Sequence, residues 1–250
     1  MMLKRLALSM MILAAGPARA DPLLPDGRTV LPPPPAPHSA AQAEDQEVFD
    51  RTRRLVGSAR WAMAREDAEL APARLLADFS CAAGMTLEPA RLPALTGLIA
   101  RLQPQLEARI TEEKQFWKRQ RPFVDTDRPI CTDDSAHLRD SPAYPSGHTT
   151  HGWIVAGILA ELMPDRATDI LHRGRAFGES RIVCGVHWKS DVQAGWLNGA
   201  AMFAALQADP GFQADMAAAG HEIAALRAHP ATPDPERCAV EARVAAQPIE

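Results

Sequence analysis

Downstream of Pro93, the residues Leu95, Leu98, Ile99, Leu102, Leu106 and Ile110 recur at helical steps, which sets them on one stripe of a long α-helix. A stripe of that length has to be covered, and the rest of the chain offers mainly other helices to cover it. The segment Ala41 to Ala64 carries Val48, Leu55, Trp61 and Met63 among charges. His148 to Met163 reads as a compact apolar helix ended by Pro164, and Arg166 to Phe177 as a further helix with Gly178 near its end. Ser190 reads as the cap of a helix running to about Leu206, with Asp191 in its first turn. Asp209-Pro210 opens another, with proline at the first helical position. Alternating strand patterns are almost absent, and no repeat or composition shift divides the chain. The expectation is an all-α fold, a single-domain helical bundle spanning residues 41–250.

The N-terminal end reads differently. Lys4 and Arg5 precede an apolar stretch from Leu6 to Ala15, and Ala18-Arg19-Ala20 places small residues where a signal peptidase needs them. Residues 1–20 therefore read as a signal peptide cleaved after about Ala20; the apolar stretch is short for a membrane anchor. An exported protein, periplasmic or secreted, is expected. Residues 21–40, with Pro32 to Pro35, read as a segment that cannot be helix, an extended arm or a disordered lead-in. No other segment has the length of a spanning helix, so no membrane partner is expected. The formal net charge is −4, and loss of Lys4, Arg5 and Arg19 with the signal takes it to −7, which argues against nucleic acid as a partner. Cys81, Cys131, Cys184 and Cys238 form an even set, too widely spaced for a metal knuckle, and disulfides are the favoured reading in an exported chain. Of the three pairings available, Cys131–Cys184 is preferred because both lie close to chemistry-bearing blocks, leaving Cys81–Cys238.

Three blocks carry that chemistry. Lys114 extends the Leu106–Ile110 stripe, and Arg121 lies seven residues on, so one helical face would hold both, about 10 Å apart along the axis, with Pro122 ending the helix. Alone, two such cations read as solvated or snorkelling, and Lys118 and Arg119 fit that description. Pro145-Ser146-Gly147-His148 opens the apolar helix: a helix N-terminus offers free N–H groups to an anion, Gly147 lets them converge, and Ser146 adds a hydroxyl. His151 lies a turn from His148, but no third ligand stands at a suitable spacing, so no metal is expected. In the third block Ser180-Arg181 precedes His187, with Ile182, Val183 and Gly185 reading as a turn through the core. Asp191, four residues after His187, can hold one ring nitrogen and leave the other free to attack. Arg181 supplies a planar donor fork for phosphate oxygens.

The pattern Lys-x6-Arg-Pro, Pro-Ser-Gly-His, Ser-Arg-x5-His-x3-Asp resembles the signature of the phosphatidic acid phosphatase type 2 and vanadium haloperoxidase superfamily. The surrounding sequence, including Leu31-Pro32-Pro33-Pro34-Pro35, Phe79-Ser80-Cys81-Ala82 and Arg121-Pro122-Phe123, is similar to that of bacterial class A non-specific acid phosphatases. The resemblance implies a helical bundle of that type and a metal- and cofactor-independent acid phosphatase acting on small phosphomonoesters. By motif position, it makes His187 the nucleophile that becomes phosphohistidine, oriented by Asp191. His148 becomes the proton donor to the leaving alcohol, and Lys114, Arg121, Ser146, Gly147 and Arg181 the phosphoryl-binding set. It also implies a homodimer or larger assembly and, through an interceptable intermediate, phosphate transfer to alcohols. Two alternatives use the same pocket: a vanadate-dependent haloperoxidase, and a non-catalytic phosphate or nucleotide binder, which leaves His187 and Asp191 unexplained. A lipid phosphatase would carry spanning helices that are missing here.

Overall fold

The computed structural model describes residues 24–247 and 249. The expected signal segment lies outside them. Among the described residues the regular structure is wholly helical: α1 (Gly27–Val30), α2 (Ala40–Thr52), α3 (Ala59–Glu66), α4 (Pro72–Ala83), α5 (Pro93–Trp117), α6 (Ala136–Asp140), α7 (Gly147–Leu162), α8 (Ala167–Val183), α9 (Lys189–Leu206), α10 (Pro210–Ala228) and α11 (Pro235–Ala245), with short 3-10 turns between some of them. Local sequence explains most starts. Pro72, Pro93, Pro210 and Pro235 sit in first turns, where a missing N–H costs nothing. Ser39, Ser58, Ser146 and Asp209 cap theirs by accepting a backbone N–H.

The apolar helix α7 lies at the centre, packed on α8 and α9, while α5 packs on α10 and α4 bridges α5, α7 and α8. Leu95, Leu98, Ile99, Leu102, Leu106 and Ile110 are all buried in the largest core cluster, with Phe79, Ile154, Ile158, Phe177 and Ile223. Small residues bring the central helices together. A Cβ on Gly195 of α9 would lie 2.8 Å from the Ser146 carbonyl oxygen, so only glycine lets α9 reach the start of α7. Two disulfides close the frame. Cys81–Cys238 joins α4 to α11, and Cys131–Cys184 joins the loop after α5 to the end of α8. Both expected pairings are the ones formed.

Several boundaries differ from expectation. The run from Ala41 to Ala64 is two helices, broken at Val56-Gly57-Ser58, where Gly57 takes a positive φ of 78° and Ser58 caps the next helix. α5 stops at Trp117 because Lys118 adopts the left-handed conformation (φ 51°), so Arg121 lies off the helix rather than on the face of Lys114. α8 passes through Gly178 to Val183, placing Ser180 and Arg181 on a helix. Its end is fixed by Arg53, which donates 2.8 Å to the Ile182 carbonyl and 2.5 Å to that of Val183. Trp188, not Ser190, holds the cap position of α9. The proline-rich arm contains one helical turn, α1, capped by Asp26 and placed between Pro25 and the Pro32–Pro35 run. Leu24 and Leu31 are buried, and the Tyr144 hydroxyl donates to the Pro32 carbonyl.

Candidate active site

Four chain segments converge at one end of α7. Lys114 stands in the last turn of α5, and its Nζ donates 2.5 Å to the Pro142 carbonyl. Beyond the left-handed Lys118 the chain doubles back and returns Arg121 to the same place. Its Nε donates 2.7 Å to the Ser141 carbonyl and its Nη1 2.9 Å to that of Val186. The last turn of α8 supplies Arg181. The turn after it, with Gly185 at φ 83°, delivers His187, and Asp191 follows in the first turn of α9. His187 is gripped from both sides: Nδ1 lies 3.4 Å from Asp191 Oδ2, and Nε2 lies 3.2 Å from Arg121 Nη1, which as a permanent donor requires a bare Nε2. His148 Nε2 lies 2.9 Å from the Ala68 carbonyl; that acceptor assigns the N–H to Nε2 and leaves Nδ1 open.

Lys114, Arg121, Gly147, His148, Arg181 and His187 all line one cavity of about 200 Å³, together with Leu70, Glu107, His137, Leu138 and Ser141. Asp191 stands behind His187, wholly buried. Ser146 is also wholly buried and not part of the lining. Its Oγ caps α7 and accepts from the Thr149 hydroxyl at 2.8 Å, and its backbone N–H donates 3.0 Å to the Asp191 carbonyl. Arg181 is the informative residue. Its guanidinium is buried, yet Nε and Nη1 have no hydrogen-bond partner among the described residues. A buried, unpaired cation is costly, and it persists where a ligand completes it. Burial, with Arg121 close by, pulls Lys114 down to about 7, and burial brings Arg121 and Arg181 to about 10. Burial and the neighbouring cations also hold His187 and His148 well below the usual histidine range, so both are neutral in the empty cavity. The cavity is thus a cationic hollow facing a neutral imidazole, suited to a tetrahedral dianion.

The family model described as the PAP2 superfamily matches residues 94–212, a span that holds Lys114, Arg121, Ser146, Gly147, His148, Arg181, His187 and Asp191. An acid phosphatase of Zymomonas mobilis is 50% identical over 223 residues, covering 89% of this chain and 83% of its own length. The chain belongs to the PAP2 superfamily. A non-specific acid phosphatase of Salmonella typhimurium is 37% identical over 195 residues (77% of this chain, 78% of its own), and one of Providencia stuartii 34% over 206 residues (81% and 82%).

In this PAP2 chain the residue that sequence reading misplaced is Arg119. Expected as a solvated cation, its side chain is only 8% exposed and bridges Asp191 and Asp45. Asp45, buried within α2, and the Ala68 carbonyl, in the turn after α3, carried no sequence signal: one is an acid among the other charges of its helix, and the other is a backbone group that any residue supplies. Ser180, part of the third block, faces away from the cavity: its hydroxyl donates 2.5 Å to Asp67 and accepts from Arg60 at 2.8 Å, steadying the turn that bears Arg181. His151 lies outside the cavity, with Nδ1 2.9 Å from the Gly147 carbonyl. A larger cleft of about 290 Å³ lies beside Cys81–Cys238, but its ions are already matched: Arg166 pairs with Asp169, and Arg173 with Asp67 and Glu241. The uncompensated positive charge belongs to the smaller cavity.

Proposed function

We propose that this protein is an exported acid phosphatase that hydrolyses a broad range of small phosphomonoesters through a phosphohistidine on His187, without a metal. The observation that carries the reading is the buried Arg181 fork, unpaired and sharing a cavity with Lys114, Arg121 and a neutral His187. The names of its relatives support the phosphatase class.

In this mechanism Lys114, Arg121, Arg181 and the α7 N-terminus around Gly147 hold the three non-bridging phosphoryl oxygens, with Ser146 fixing that N-terminus. His187 Nε2 donates its lone pair to phosphorus; the N–P bond forms as the ester P–O bond breaks, and the electron pair leaves with the alcohol oxygen. His148 passes its Nδ1 proton to that oxygen. Water then attacks phosphorus, gives a proton back to His148, and the N–P bond returns its electrons to His187. Asp191 holds Nδ1–H throughout and offsets the positive charge that the imidazole gains. Burial first, and the neighbouring cations second, keep His148 neutral; a dianion seated among the three cations offsets the second cause and so favours protonation of His148 on binding. The phosphoryl charge is met by fixed, buried donors, which supplies the electrostatic part of the rate.

An alcohol in place of water would accept the phosphoryl group, which makes transferase activity part of the reading. Export rests on residues 1–20, and among the described residues no helix is long and apolar enough to cross a membrane. A homodimer or larger assembly remains part of the proposal.

The test is hydrolysis of p-nitrophenyl phosphate by wild-type protein and by His187→Ala. Loss of at least about a thousandfold in kcat/KM is expected; wild-type turnover in the variant would overturn the reading. Peroxide-driven bromide oxidation with added vanadate, if it exceeded phosphatase turnover, would favour the haloperoxidase instead.

A further inference from the structure

We propose that Arg119 is a positioning residue, fixed by Asp45, that sets the Asp191 carboxylate against His187 Nδ1. The inference rests on the phosphohistidine reading and deepens it. Arg119 does not line the cavity; it acts through its neighbour. Its Nη1 donates 2.6 Å to Asp191 Oδ1 and 2.6 Å to Ser190 Oγ, while Nη2 donates 2.6 Å to Asp45 Oδ2 and 2.8 Å to Gln42 Oε1. Asp45 in turn accepts the Ser190 backbone N–H at 2.8 Å and its hydroxyl at 2.5 Å, so α2 anchors both the guanidinium and the first turn of α9. The Trp188 ring lies 5.5 Å from the guanidinium carbon, and the Arg119 carbonyl accepts from Ala143 N–H at 2.8 Å, binding the loop that leads to Ser146.

The two oxygens of Asp191 have separate tasks. Oδ1 takes Arg119; Oδ2 takes the Trp188 N–H at 2.8 Å and faces His187 Nδ1. Without the first contact the carboxylate can rotate about its Cβ–Cγ bond and lose its aim. The charged and titratable groups facing Asp191 are Arg119 from the loop after α5, Asp45 from α2, His187 from the turn before α9, and Tyr144 from the loop before α7. Lys114 and Arg121 reach it from the cavity side. Burial and Asp45 favour the protonated acid, and Arg119 is the largest opposing influence. Removing it moves protonation of Asp191 to higher pH. The acidic limb of the pH–rate profile then follows it upward, because a neutral acid no longer offsets the charge on His187.

The experiment measures kcat and KM for p-nitrophenyl phosphate from acid to neutral pH, on wild type, Arg119→Met, Arg119→Lys, Asp191→Asn and the Arg119→Met/Asp191→Asn double variant, with thermal melting of each. Arg119→Met is expected to lower kcat about a hundredfold with KM changed by less than about threefold, and to move the acidic limb up by about one pH unit. Arg119→Lys keeps the charge but not the fork, so its limb stays in place while kcat falls about tenfold. The double variant is expected to be no worse than Asp191→Asn within about threefold, because both changes remove one interaction. Multiplied losses in the double variant, or an unmoved limb in Arg119→Met, overturn the proposal. If Arg119→Met does not fold, Arg119→Lys decides, and kcat within about twofold of wild type overturns it. A wild type that carries no phosphoryl label on His187 overturns the underlying reading; a labelled wild type with an unaffected Arg119 variant overturns this inference alone.

Discussion

At the scale of single residues, the site is an arrangement of unmet needs. Arg181 is buried with two nitrogens unpaired, Lys114 is pulled down to about 7, and His187 is held neutral by burial and by the same cations that would bind its substrate. Such groups weaken the empty protein and are completed by the ligand. Arg181→Met should therefore lower kcat/KM for p-nitrophenyl phosphate by about two to three orders of magnitude, as expected for losing charge-assisted bonds. The melting temperature of the same variant should stay level or rise, since an unpaired buried cation is replaced by an apolar chain of similar reach. Inhibition by inorganic phosphate should weaken in parallel. Arg119 shows the limit of reading residues one at a time. Nothing in its local sequence separates it from Lys118, yet one is exposed and the other closes a four-acceptor network.

At the scale of elements, periodicity carried most of the information. The α5 stripe, the apolar α7 and the Asp209-Pro210 start are all where helical spacing and capping chemistry put them. Helix ends were less legible, because they depend on contacts distant in sequence. Gly178 reads as a terminator, but it sits inside α8, where a Cβ would lie 2.4 Å from the Trp196 ring nitrogen; its role is close packing, not a stop. Lys118 ends α5 with a conformation that no lysine announces, and that one turn decides where Arg121 goes. The eight expected site residues were legible as a set, whereas the grouping of six of them around one cavity, with Asp191 and Ser146 behind it, needed these ends. The α7–α9 approach is the element on which the site most depends. Gly195→Ala should cost about 1–3 kcal/mol in denaturant unfolding, since the carbonyl of Ser146 cannot yield, and should lower kcat by moving Asp191 one turn away. Gly220→Ala, whose nearest neighbour would be 3.7 Å off, is the control and should be neutral or stabilising by up to about 1 kcal/mol.

At the scale of the whole molecule, the arm, the disulfides and a buried acid tie the bundle together around the site. Glu113 faces away from the cavity that its neighbour Lys114 enters; it accepts from Asn198 of α9 at 2.6 Å and lies under Gly27 of α1. Burial pushes its carboxyl up to about 7 from an ordinary 4.5. The folded state thus keeps the proton that the unfolded chain releases, and the stability this confers is present at low pH. It declines as pH rises from about 4.5 and is gone above about 7. Glu113→Gln should remove that slope, gaining on wild type by on the order of 2 kcal/mol between those limits in pH-dependent denaturation. A variant with an unchanged pH slope would contradict the assignment.

The central claim is the covalent step, and rapid-quench labelling tests it most directly. His148→Ala should slow the water step while a good leaving group such as p-nitrophenol still departs, so the intermediate accumulates. Quenching that variant in base during turnover of labelled p-nitrophenyl phosphate should give stoichiometric, base-stable and acid-labile label on the peptide containing His187. Label on any other residue, or turnover with no labelled protein at any time, would contradict the account.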